Sequence, residues 1–197
     1  MVKRLTVMGL LLVSASITLG GQEAVSRALT PEVIAPTKLE GYLTTRSALL
    51  VTDVYPIGAV TVGRGDGRME IAAVVGTEGG RERRRVRGLR IDLTETSRVP
   101  QPERSYLDLD ELEGLSKALA DMGDLAARWK DTDKPEYSEA QFATRSDFRI
   151  GLSQQRRQQR GFVSSGGIGG GRVPFDVAEL ARIKDLVDQG LLLLQGK

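Results

Sequence analysis

Between Leu107 and Trp129 the chain reads LDLDELEGLSKALADMGDLAARW, with Leu109, Leu112, Leu115, Leu119, Met122, Leu125 and Trp129 recurring at steps of three and four. That period lines them along one face of an α-helix, and such a face needs another element to cover it. The start is equally well marked. Asp108 stands where a side chain accepts backbone N–H bonds, and Glu111 three residues on can reach back, a capping box with Asp in place of Ser or Thr.

A shorter echo follows from Phe175, where FDVAELARI sets Asp176 and Glu179 in the Asp108 and Glu111 roles and Leu180 and Ile183 in those of Leu112 and Leu115. A final helix is expected over Val177 to about Leu194, with Gly190 as an interruption or end before the last apolar patch. LRIDL at Leu89–Leu93 likewise resembles FRIGL at Phe148–Leu152. The spacing from each to its helix differs, so duplication and convergence on a strand followed by a capped helix both account for the echo.

Strand signals precede each helix. Ser47–Val54 is a short apolar run, Tyr55-Pro56 reads as a turn, and Gly58–Arg64 as a second strand. Asp66-Gly67 signals a hairpin into Arg68–Gly76, where Met69, Ile71, Ala73 and Val75 alternate. Glu78-Gly79-Gly80 turns the chain into Arg83–Leu93, with Leu89, Ile91 and Leu93 inward and Arg90 and Asp92 outward. Thr94–Arg104, carrying Pro100 and Pro102, reads as a loop. After the break at Lys130–Glu136, strands are expected at Tyr137–Thr144, Asp147–Leu152 and Gly161–Ser165.

The N-terminus reads differently. Lys3 and Arg4 precede a short apolar stretch ending in small residues, the layout of a secretory signal over residues 1–20; an uncleaved anchor helix is the other reading. Residues 21–40, with Pro31 and Pro36, read as a linker or loosely ordered arm whose Val33-Ile34 pair suits a short edge strand. Without Lys3 and Arg4, the 28 basic residues fall to the number of acidic ones, 26, so the alkaline pI comes from the leader.

Composition removes several chemistries. With neither cysteine nor histidine, the chain has no thiolate nucleophile, no disulfide, and none of the commonest general base and transition-metal ligand. An exported chain without cysteine relies on its core alone and reads as bacterial. The glycine-rich run Ser164–Arg172 lacks the Lys-Ser/Thr of a phosphate loop, and Val173-Pro174 separates it from the next helix. Arg64-Gly65-Asp66 spells the adhesive tripeptide of integrin ligands, yet the expected turn asks for Gly65 and Asp66 by itself. Neither Asp108–Glu113 nor Asp131–Asp133 has EF-hand spacing. No catalytic, cofactor or metal residues are assigned.

The remaining candidates are basic. Arg83, Arg84, Arg85 and Arg87, with Arg156, Arg157 and Arg160, are guanidinium clusters suited to carboxylate or phosphate, to protecting a sheet edge, or to pairing with the acidic first helix. The expected fold is an α+β domain over 41–197, an antiparallel meander followed by an amphipathic helix. The pattern continues either in one sheet carrying both helices or in two β-then-α halves, 41–130 and 137–197. A meander and a helix, twice over, is similar in topology alone to the Whirly and PUR-type single-strand nucleic-acid binders; a leader peptide argues against that intracellular role. The expected function is an exported, non-catalytic binding or structural protein of the bacterial envelope, periplasmic or extracellular. Its partner would be an anionic polymer, lipid headgroup or acidic protein. A carboxylate-dependent hydrolase and a single-strand nucleic-acid binder are the alternatives.

Overall fold

A computed structural model describes residues 37–63, 65, 67–79, 81–95, 103–165 and 171–197. The leader, most of the arm with Val33-Ile34, Arg64 and Asp66 of the tripeptide, and residues 166–170 of the glycine run lie outside that set.

Two antiparallel four-stranded sheets form, each in simple meander order and each followed by a helix. The first holds β1 (Leu50–Val62), β2 (Gly67–Glu78), β3 (Arg81–Glu95) and β4 (Glu103–Asp108), and leads into α2 (Leu109–Lys130). The second holds β5 (Lys134–Ala143), β6 (Arg149–Arg156), β7 (Gln158–Ser164) and β8 (Val173–Phe175), and leads into α3 (Glu179–Gln195). A six-residue helix, α1 (Lys38–Leu43), precedes them. The fold is therefore the expected α+β arrangement in its two-sheet form.

α3 covers the first sheet, and α2 covers the second while also touching β3 and β4 of its own half. Leu186 of α3 sits against Gly58 of β1, and Leu89 of β3 sits against Gly190 of α3, so α3 lies on the first sheet. Phe142 of β5 lies beside Gly114 of α2, while Gln154 of β6 and Gln159 of β7 donate to the Trp129 and Ala126 carbonyls near the end of α2. The buried face of α2 is the one its period marks: Leu112, Leu115, Leu119 and Met122 are all buried. They join Leu89, Ile91, Ile150, Val163, Ile183 and Val187 in one continuous core. Fully burying a residue of this kind contributes about 1.5–3 kcal/mol, so the shared core is the main stabilising term.

The sheets are also tied at their edges. Gly63 N donates to Pro174 O at 2.6 Å, joining the end of β1 to β8. The hydroxyls of Ser105 on β4 and Ser165 after β7 lie 2.6 Å apart in a buried position.

Several expectations need correcting. Tyr55-Pro56 does not turn the chain. β1 runs through it with a register shift between Pro56 and Gly58, because proline's missing N–H is tolerated at a bulge on an edge strand. The segment read as a loop over Thr94–Arg104 contributes its first two residues to β3 and its last two to β4, which pairs with β3. Asp92 points away from the core but is buried, held by Arg90 at 2.8 Å and Arg104 at 2.6 Å. Gly190 does not end α3; it lets the helix approach Leu89, whose Cδ2 would lie 2.6 Å from a Cβ there. The end of the expected arm is the start of α1, capped by Thr37 and Glu40, with Leu39 and Tyr42 buried against the first sheet. The hairpin after β1 spans four residues between Val62 and Gly67 instead of turning at Asp66-Gly67.

The sequence echoes fare unevenly. LDLDELEGL and FDVAELARI both follow the fourth strand of a sheet, whereas LRIDL lies in the third strand of one and FRIGL enters the second strand of the other. Asp176 does not play the part of Asp108. Its Oδ1 accepts from Ala178 N, and α3 begins two residues later than α2 does in the aligned stretch.

Candidate anion-binding surfaces

The acidic start of α2 is internally committed. The capping box of Asp108 and Glu111 forms, with Asp108 N donating to Glu111 Oε2 at 3.0 Å. Asp108 also reaches across the molecule: its carboxylate accepts from Lys38 N at 2.8 Å and Leu39 N at 3.0 Å, and so caps α1 as well. Arg145, in the turn between β5 and β6, pairs with Asp110, places its Nε 3.4 Å from Glu111, and donates its backbone N–H to Glu111 at 2.8 Å. Burial pushes the Asp110 carboxyl up, but bonds from Lys38 and Arg145 outweigh this and hold it below the ordinary range. These carboxylates join α1, α2 and the second sheet at one point.

The basic residues divide between two places. Arg83 and Arg84 lie in β3, with their side chains outside the described set. Arg85 and Arg87, further along β3, line an open cleft of about 520 Å³ with Lys38, Asp110, Glu113 and Leu191. Arg87 donates to Leu194 O at 2.9 Å, meeting the carbonyl end of α3, where a cation is favoured by the helix dipole. Part of the first cluster thus closes a helix.

Arg156 and Arg157 form the tip of the β6–β7 hairpin, between the facing residues Gln155 and Gln158, and Arg160 follows on β7 opposite Ser153. All three are exposed, and none forms an ion pair with a described residue. Arg156 has φ +55°, a left-handed conformation that costs a non-glycine residue about 1–2 kcal/mol. Beneath the tip, Gln154 is buried and donates to the carbonyls of Trp129, Thr132 and Arg156. The two basic clusters are not one site: one accompanies the end of α3, the other the end of α2.

Sequence reasoning missed a third group. On the outer face of the second sheet, turned away from α2, Arg172 makes a two-pronged pair with Glu139, at 2.6 and 3.0 Å, and lies 4.3 Å over the Phe162 ring. Glu139 also accepts from the Tyr137 hydroxyl. The Arg172 bond outweighs burial and holds the Glu139 carboxyl below its ordinary range; the bond to Glu139 raises the Tyr137 hydroxyl. Phe162 is buried under this roof with its ring edge over Gly151, where a Cβ would lie 2.3 Å from Cζ, while Tyr137 is 55% exposed. Tyr137 and Glu139, two apart in an alternating strand, marked a shared face, but nothing local tied them to Arg172.

No family model matches this sequence, and no curated protein matches it either. Among the described residues, no helix is long and apolar enough to cross a membrane.

Proposed function

We propose that the chain is an exported, non-catalytic binding protein of the bacterial envelope whose Arg156–Arg157 hairpin tip, with Arg160, takes an anionic partner. The observation that carries this reading is a contrast in how charges are used. The acidic cluster at the start of α2 is spent on internal bonds, whereas these three guanidinium groups face solvent with no ion pair to a described residue. A positive φ at Arg156, where glycine would be strain-free, fits selection for the side chain over the turn. Arg85 in the open cleft offers a smaller second point of contact.

The leader and the binding surface are tested separately. A C-terminally tagged chain is fractionated and its mature N-terminus sequenced; export predicts a chain outside the cytoplasm, and a cytoplasmic chain retaining Met1 refutes the placement. Retention of the purified protein on an immobilised polyanion is then compared with that of the Arg156→Glu, Arg157→Glu, Arg160→Glu variant. Equal retention refutes the anion-binding reading.

The element order, a meander and a helix twice over, favours a second reading as a single-strand nucleic-acid binder. Such surfaces stack successive bases on aromatic rings, and here Phe162 lies under Arg172. An envelope anion fits these side chains better than nucleic acid, because Phe162 is buried and offers no open ring to a base.

A further inference from the structure

We infer that the outer face of the second sheet is a binding site for an acidic polysaccharide built of uronate-type sugars, with Tyr137 as the ring platform and Arg160 and the Arg156–Arg157 tip as carboxylate-binding groups. This rests on the anionic-partner reading above and narrows it to one class of polymer.

The strand register assembles the site. Tyr137 of β5 faces Gln155 of β6, which faces Gln158 of β7, so one ring and two exposed amides form a row across three strands. At about 4.8 Å between strands, the row spans roughly 10 Å, room for two linked pyranose rings. One step along, Glu139, Ser153 and Arg160 form a parallel row. Gln154 and Gln159, the alternate residues, point the other way and bond to the end of α2, which fixes Gln155, Gln158 and Arg160 on the outer side.

The chemistry fits a charged sugar chain. Tyr137 is an exposed ring already held in place, its hydroxyl bound by Glu139, which Arg172 grips in turn. An ordered aromatic face stacks on the C–H face of a sugar at little entropic cost. Exposed amides suit sugar hydroxyls, and unpaired guanidinium groups bind carboxylates in a two-pronged manner. Glu139 does not oppose the anion, because Arg172 balances it. Single-stranded nucleic acid is disfavoured because Tyr137 is the one exposed aromatic platform among the described residues of this face. A bilayer is disfavoured because amides and charges flank Tyr137 instead of an apolar patch.

The test measures binding of the full chain to polygalacturonate, with neutral dextran, oligothymidylate and phosphatidylglycerol vesicles as comparisons. Polygalacturonate is expected to bind best and dextran not to bind. Tyr137→Ala should weaken polygalacturonate binding about tenfold, Tyr137→Phe, which keeps the ring but loses its tether to Glu139, should weaken it less, and the unfolding midpoint should barely move because the ring is exposed. Loss of binding in the triple Arg→Glu variant with none in Tyr137→Ala overturns the polysaccharide site and leaves the anionic reading standing. Binding indifferent to both variants overturns both. Preference for oligothymidylate or for the vesicles also overturns the inference.

Discussion

Asp108 ties three segments together: it starts α2, caps α1 through two backbone N–H groups, and lies 3.7 Å from Arg145. Removing it leaves the buried Leu39 N–H and the half-buried Lys38 N–H without an acceptor, a costlier loss than that of an exposed cap. Asp108→Ala should therefore lower stability by about 2–3 kcal/mol, and Asp176→Ala by under about 1 kcal/mol, as read from denaturant midpoints. Sequence disclosed the local half of this role, the capping box. It could not disclose the bonds to Lys38 and Leu39, seventy residues away, because nothing local encodes them. Arg156 gives a residue-scale prediction of opposite sign. Glycine relieves its positive φ, so Arg156→Gly should raise the unfolding free energy by about 1 kcal/mol while weakening retention on a polyanion.

At the scale of elements, identical substitutions should act oppositely in the two long helices. Gly123 of α2 has open space where a Cβ would go, so Gly123→Ala should stabilise by about 1 kcal/mol through helix propensity. Gly190 of α3 abuts Leu89, which is fully buried and has little freedom to yield, so Gly190→Ala should lower stability by about 1 kcal/mol despite the same propensity gain. Thermal or chemical unfolding of the two variants side by side checks the pair. The same contrast explains what was readable. The buried stripe of α2 was plain because its apolar period is long. Tyr55-Pro56 resembles a turn because Pro cannot serve in a central strand, and sequence does not say which strand is an edge. β4 and β8 carry weak strand signals, because β4 follows Pro100 and Pro102 and runs straight into α2, and β8 is three residues long and holds Pro174.

For the molecule as a whole, acid should loosen what neutral pH leaves alone. The carboxyls of Asp110, Asp188 and Glu139 lie below their ordinary range: hydrogen bonds to Lys38 and Arg145 outweigh burial at Asp110, those to Lys184 and Ser116 do so at Asp188, and Arg172 dominates at Glu139. A depressed carboxyl contributes stability that is complete above its unfolded pKa, near 4, and is lost as pH falls through its folded value. Without histidine, no side chain of ordinary pKa titrates between pH 5 and 8. Denaturation curves should therefore change little over that window and fall in midpoint below about pH 4. Glu139→Gln should blunt the fall most, since Asp110 and Asp188 are more exposed and better screened.

The two halves exchange helices, α3 sealing the first sheet and α2 the second, around one core. The most direct test is cooperative unfolding of residues 37–132 expressed alone, against residues 37–197. Exchange predicts that the isolated half, its sheet stripped of α3, shows no cooperative transition until residues 133–197 are added. A sharp, native-like transition from the isolated half would contradict it.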